Sequence, residues 1–196
     1  MKGFVLTKQT EGKSPRTVEF YGENLKRFLW YANKSEWSDD VRLIDEWHIR
    51  EFLGYVASET SRWELNGNGS ESSKSKASLS TVHHYYVVLV CLFNWIVAEG
   101  YSKVNPTERV KVKKPKPAVI VPYSKEEIRN MLAVCDYDYE HNAKLLASRN
   151  RAILLVLLDT GVRLSELIGM KAEDVKDGKS DIKVQGKGNK GRVVRI

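Results

Sequence analysis

The sequence predicts a mainly α-helical protein with a small β-sheet close to its C-terminal end. Three observations carry this: apolar residues recur at three- and four-residue steps along most of the chain, helix-opening signals precede those runs, and only residues 182–185 and 192–196 alternate as strands do. With 196 residues, 42% apolar and 29% charged, the chain can bury a real core and hold one or two domains. The pattern divides it into a helical domain at 1–108, a basic linker at 109–122 and a second domain from 123 to 196.

In the first domain, Ser14-Pro15 has the form of an N-cap followed by proline at the first helical position, and opens a helix over 15–33. Val18, Tyr21, Leu25, Phe28 and Leu29 make its apolar face. A second helix over 44–59 directs Trp47, Phe52, Tyr55 and Val56 inward. Residues 67–78, rich in Gly, Ser, Asn and Lys, read as a flexible loop. A third helix over 80–99 is apolar nearly all round and is expected at the centre of the bundle. Its stretch 85–97 is too short to span a bilayer, which takes about 20 residues. Gly100 ends this helix and Asn105-Pro106 turns the chain.

Several function classes are disfavoured. His83 and His84 are adjacent and point differently on a helix, and no Cys, His or carboxylate cluster with ligand spacing accompanies them, so no metal site is expected. No long repeat, Walker loop or dinucleotide fingerprint occurs. Cys91 and Cys135 lie far apart, which suits reduced thiols in a cytoplasmic protein. Residues 1–9 show no cleavage-like signal, so neither secretion nor membrane insertion is indicated.

The net charge of +7 favours a polyanionic partner, and its placement says more than its size. Residues 109–117 carry Arg109, Lys111, Lys113, Lys114 and Lys116, and residues 182–196 carry Lys183, Lys187, Lys190, Arg192 and Arg195. Neither stretch contains an acid, so the rest of the chain is slightly acidic. Residues 109–122 have several prolines and no apolar periodicity and read as an extended linker. Contact with a phosphate backbone and a plain solvated tether fit it equally.

The second domain opens on Ser124-Lys125-Glu126-Glu127, a Ser-x-x-Glu capping box that starts a helix to about position 134 with Ile128, Met131 and Leu132 inward. A polar loop at 136–142 and a helix over 143–158 follow, with 153–158 as core. Thr160-Gly161 breaks that helix, and another runs over 162–170 with Arg163 in its first turn. A cation there opposes the positive end of the helix dipole, which invites an anion such as phosphate, and Glu166 could orient the guanidinium along the same face. A surface ion pair between Arg163 and Glu166 accounts for that helix equally well. Beyond it, two short strands flank a glycine-rich basic turn that holds Lys187 and Lys190.

Together these segments resemble the tyrosine recombinases, the phage integrase family of site-specific DNA recombinases. The matching residues are Asn150-Arg151-Ala152 with the apolar run to Leu158, Thr160-Gly161-Val162-Arg163-Leu164-Ser165-Glu166-Leu167, Asp174-Val175, and Gly186-Lys187-Gly188-Asn189-Lys190-Gly191-Arg192. Each is weak alone; the ordered set with this spacing is specific. Gly191 stands where many relatives carry a charged or polar residue. The resemblance implies a SAM-like helical core-binding domain, matched by pattern and placement only, followed by the N-terminal part of a mixed α+β DNA breaking-rejoining catalytic domain. The family's His-x-x-Arg motif, a further His or Trp, and its nucleophilic Tyr lie downstream of the hairpin, so the resemblance implies an N-terminal fragment.

The chemistry so implied is transesterification: a tyrosine attacks the scissile phosphate, giving a 3′-phosphotyrosyl link and a free 5′-hydroxyl that then attacks a partner strand. Neither metal nor ATP is required. Arg163 would be the first catalytic arginine and Lys187 the catalytic lysine of the β-hairpin, the two sharing one basic surface. Lys111, Lys113, Lys114 and Lys116 would contact DNA from the linker, and Lys183, Lys190 and Arg192 would position phosphates or be merely exposed. The expected partner is double-stranded DNA, with a homotetramer on DNA for the full-length protein and no membrane. Tyr101, Tyr123, Tyr137 and Tyr139 all precede the hairpin, contrary to the family order, and read as core or surface. Two other classes stay open: a non-catalytic DNA-binding protein, such as a truncated integrase acting as competitor or architectural factor, and a helical RNA-binding or scaffold module.

Overall fold

The structure is a computed structural model that describes residues 1–58, 76–117, 119–175, 181–186 and 191–195. The chain divides into two compact units, Met1–Ala118 and Val119–Ile196. Most of the loop expected at 67–78 lies outside the described residues.

The first unit is built from α1 (Lys2–Thr10), α2 (Pro15–Lys34), α3 (Glu46–Ser58) and α4 (Leu79–Ala98). The Ser14 hydroxyl accepts the Thr17 N–H at 3.2 Å, with Pro15 at the first helical position, so α2 begins where the sequence signals it. The interior is aromatic: Phe28 meets Phe52 edge to face at 5.1 Å and Phe93 at 6.3 Å, and Phe52 meets Tyr85 at 5.6 Å. Phe4 of α1 is fully buried between Tyr21 and Trp95. Arg27 is buried as well; its guanidinium donates to the Tyr85 hydroxyl and lies about as far from the Tyr55 ring as from that of Tyr85, 5.3 and 5.4 Å. A charge at that depth is stabilised by the aromatic faces around it.

Two residues expected inside are outside. Trp47 is 59% exposed, because Ile49, Phe52, Leu53 and Val56 define the packed face of α3 and a residue two positions before Ile49 is turned some 200° from it. Leu29 is 44% exposed, at the flank of a seam drawn by Val18, Tyr21, Leu25 and Phe28. By length and composition α4 could cross a membrane, so the shortness of 85–97 does not describe the whole helix. Seven of its residues, from Val82 to Ile96, are nevertheless buried in the core of this unit.

Residues 109–117 form no helix or strand, as expected, but they are not a free tether at their start. Val110 is buried and Val112 packs against the helical core, while Lys111, Lys113, Lys114 and Lys116 are exposed. Apolar periodicity is therefore present over three residues, too short to stand out among lysines.

The second unit contains α5 (Lys125–Glu140), α6 (Lys144–Thr160), α7 (Leu164–Ile168) and a two-stranded antiparallel sheet of β1 (Asp181–Gln185) and β2 (Gly191–Arg195). The capping box at Ser124 is formed in full: Ser124 Oγ accepts the Glu127 N–H and Glu127 accepts the Ser124 N–H. The polar loop expected at 136–142 is instead mostly helix, since α5 continues to Glu140 with its polar residues exposed or half-buried, and turns only at Asn142, where φ is +68°. The stretch 153–158 is less buried than expected, with Leu155 and Leu158 about half exposed. A layer of two helices beside a small sheet has too little area to cover a helix on all sides. Ile182 and Val184 of β1 pack with Val162, surrounded by Val156, Leu157, Leu167, Met170 and Val194.

Replacing Phe52 by Ala should cost about 3–5 kcal/mol in a denaturant-unfolding measurement. Trp47→Ala should stay within about 0.5 kcal/mol of the parent, and equal losses would mean that the packed face of α3 has been assigned wrongly.

Candidate active site

The site is assembled by the turn between α6 and α7. Thr160 Oγ1 donates back to the Val156 carbonyl at 2.6 Å, and Gly161 ends α6 in the left-handed conformation at φ +60°. That conformation favours glycine and lets the chain reverse within one residue. Val162 then enters the core and Arg163 becomes the N-cap of α7, with φ −73° and ψ 152°. Arg163 therefore precedes the helix, which spans only Leu164–Ile168 and not 162–170 as expected. The conflict with the helix dipole falls away with that shift, and the Arg163 N–H is taken by Glu166 rather than left for an anion.

Glu166 is the organising group. Its side chain is 1% exposed, and its carboxylate accepts three N–H groups: the Arg163 backbone at 2.8 Å, Arg163 Nη1 at 2.9 Å and Arg192 Nη2 at 2.9 Å. The backbone N–H of Arg163 does most to hold the Glu166 carboxyl below the usual range. The Arg163 guanidinium and the charges of Arg192 and Arg163 add to this, against the burial that pushes it up. A buried carboxylate so satisfied fixes the side chains that satisfy it. The Arg163 side chain remains 67% exposed and that of Arg192 46%, so both guanidinium groups are anchored from behind and open to solvent.

The expected site residues are not all together. Arg192 is opposite Val184 across the sheet, in phase with Val194, and so reaches Glu166 from the packed face. Lys183 is opposite Val193 on the other, exposed face, so these two expected phosphate ligands are separated by the sheet. Lys187 and Lys190 lie outside the described residues, and Lys111, Lys113, Lys114 and Lys116 belong to the first unit. Arg151 pairs with Asp136 of α5 at 2.7 Å. Tyr101, Tyr123, Tyr137 and Tyr139 are all exposed. The carboxylate-binding role of Arg192 was missed by sequence reasoning; its signal was the alternation that sets Arg192 two residues from half-buried Val194.

Known proteins share the two units of this chain. Residues 1–103 match the N-terminal SAM-like domain of phage integrases, and residues 123–196 match the phage integrase family. Tyrosine recombinase XerD of Staphylococcus saprophyticus is 29% identical over 189 residues, covering 95% of this chain and 56% of that protein. Tyrosine recombinase XerC of Pseudomonas savastanoi pv. phaseolicola is 32% identical over 189 residues, covering 93% and 54%. In structure, the chain shares its fold with XerH recombinase bound to a palindromic difH substrate, with TM-score 0.63 and 24% identity over 96% of this chain and 51% of that one. It likewise shares the fold of lambda integrase (75-356) in a dimer bound to a COC' core site, with TM-score 0.65 and 17% identity over 99% of this chain and 60% of that one.

A helical SAM-like unit followed by helices and a basic hairpin is the fold of the site-specific DNA recombinases. The chain belongs to the phage integrase family, the tyrosine recombinases. It spans about half the length of the curated relatives it matches.

Because the folded Glu166 carboxyl sits below its ordinary value, its contribution to stability is complete above that value and is lost as pH falls through the lower folded one. The protection of the Arg163 amide, the slowing of its exchange relative to the unfolded chain at the same pH, should therefore fall on acidification below the ordinary glutamate value of about 4.3. In Glu166→Gln this protection should already be lower at neutral pH and change little over that window; an unchanged profile would show that the carboxylate does not hold this turn.

Proposed function

We propose that this chain supplies the DNA grip and the first part of the catalytic apparatus of a site-specific recombinase that breaks and rejoins DNA through a 3′-phosphotyrosyl intermediate. In this reading residues 1–108 are the core-binding domain, 109–122 a basic linker and 123–196 the N-terminal part of the catalytic domain. Double-stranded DNA is the partner, and the full-length protein works as a tetramer on it. The single observation that carries the reading is the Arg163 guanidinium, fixed from behind by buried Glu166 and open on its other side.

Attack by a tyrosine oxygen on the scissile phosphorus forms a P–O bond to the enzyme and breaks the bond to the 5′ oxygen of the next nucleotide. Charge grows on the non-bridging oxygens as the pentacoordinate transition state forms. A guanidinium already held in place stabilises that charge without first having to reorganise. Lys187 is assigned the proton that the departing 5′ oxygen takes up. Arg192 has a second part here beyond phosphate contact: through Glu166 it ties β2 to Arg163, so that the strand and the arginine move as one piece. In this reading the chain on its own binds duplex DNA without cleaving it.

Two measurements test this. The chain should bind duplex DNA with an affinity that falls steeply with salt, by about 0.9 in log–log slope for each phosphate neutralised, and should form no covalent adduct with a nicked suicide substrate. An adduct would overturn the non-cleaving reading, and equal binding of duplex DNA and RNA would favour the RNA-binding alternative. In a longer polypeptide that contains this sequence and supplies the tyrosine, Arg163→Ala should slow strand cleavage about 100-fold or more while duplex binding changes far less.

A further inference from the structure

Residues 109–113 leave the helical unit as a strap with three separate attachments. The Tyr86 hydroxyl of α4 donates to the Val110 carbonyl at 2.9 Å, the Arg50 guanidinium of α3 donates to the Arg109 carbonyl at 3.1 Å, and the Val110 side chain is 4% exposed in the core, with Val112 packed beside it. The Val110 N–H is also taken, by the Thr107 carbonyl. Between and beyond these anchors Lys111 and Lys113 stay exposed. Past them Pro115 and Pro117 interrupt the chain, and among the described residues no side chain donates to a carbonyl from 111 to 117.

We propose that Tyr86 and Arg50 are positioning residues for nucleic-acid binding: they fix the start of the basic strap on the helical unit, so that Lys111 and Lys113 are phosphate contacts ordered before DNA arrives. The inference rests on the DNA-binding reading above. Lys111 and Lys113 are two residues apart, about 6.6 Å in extended chain, so a fixed strap presents two separate ammonium groups to a phosphate backbone. Ordering the strap in advance removes from the binding step the entropy that a loose chain would lose there. Lys114 and Lys116 lie beyond the anchors, and their contacts form only at the cost of ordering on binding.

Tyr86→Phe and Arg50→Met each delete one anchor; Arg50 is exposed, so the second variant keeps the fold if the first does not. Limited trypsin digestion of the whole chain reports on the strap without DNA, through cleavage after Lys111 and Lys113, with cleavage after exposed Lys13 as the internal reference. Each variant should speed strap cleavage about fivefold, the value of one hydrogen bond, and leave the reference unchanged. In anisotropy titrations with a duplex, each should weaken binding by about the same factor at an unaltered salt slope, whereas the double change Lys111→Ala, Lys113→Ala should lower the slope by about 1.8. Parent-like strap cleavage and affinity in both variants would overturn the inference, as would an unaltered slope in the double lysine variant. Absence of salt-dependent binding by the parent chain would overturn the functional reading itself, and is told apart from failure of the anchors because the tryptic comparison needs no DNA.

Discussion

A carboxylate that is 1% exposed cannot be left without partners, and the geometry of the second unit follows from how Glu166 is satisfied. Two of its three donors come from Arg163, one from the backbone and one from the guanidinium, which sets both the entry of the chain into α7 and the direction of the side chain. The third comes from Arg192, 26 residues on, which sets which face of β2 packs inward. A shift of one residue in that strand would turn Arg192 out and Val193 in, leaving Glu166 short of a partner and a valine in its place. The register of the sheet and the position of the candidate catalytic arginine are thereby one constraint. Gly161 makes it reachable, because its left-handed backbone places Val162 in the core and Arg163 at the turn in immediate succession.

The helical unit meets its own buried charge by another route. Arg27 is held by tyrosines from α3 and α4, Tyr55 and Tyr85. Three helices are thus tied through one guanidinium, which specifies how they face one another more sharply than apolar contact alone would. Around it, edge-to-face aromatic contacts fill a core that a helix as apolar as α4 requires, since a helix of that composition needs cover on most of its surface.

Features written in short-range chemistry were legible in the sequence. The caps at Ser14 and Ser124, the break at Gly161 and the two alternating strands each depend on a few adjacent residues whose preferences are strong. What was misread depends on partners far along the chain. Asp136 to Glu140 look like a loop because they are polar, yet Cys135 is buried and Asp136 has Arg151 to pair with across α5 and α6, so the helix keeps its hydrogen bonds and continues. Trp47 looks like core by composition, and only the phase set by Ile49, Phe52 and Val56 turns it out. At the candidate site the pair Arg163 and Glu166 was visible as a three-residue step on one chain segment, whereas the share of Arg192 in it was not, since that depends on sheet register and on which face of the sheet is covered.

Charge counted along the sequence also differs from charge available at the surface. The two basic stretches look equivalent, with five cations each and no acids. In the folded protein Arg192 is engaged by Glu166 and Arg195 by Asp181, both acids lying outside the stretch that holds their partners. Lys183 has no acid within ion-pair distance among the described residues, and it lies on the face of the sheet that carries Arg195, opposite to that of Arg192. In the strap, by contrast, none of Lys111, Lys113, Lys114 and Lys116 has an ion-pair partner among the described residues, and all four are exposed. Exposed charges interact over about 8 Å at physiological ionic strength, so lysines two residues apart reinforce one another's field while a paired arginine adds little to it. Among the described cations those of the strap are therefore free of acids, whereas Arg192 and Arg195 are held by theirs. What separates the described cations of the two stretches is where the acids sit, not the number of basic residues.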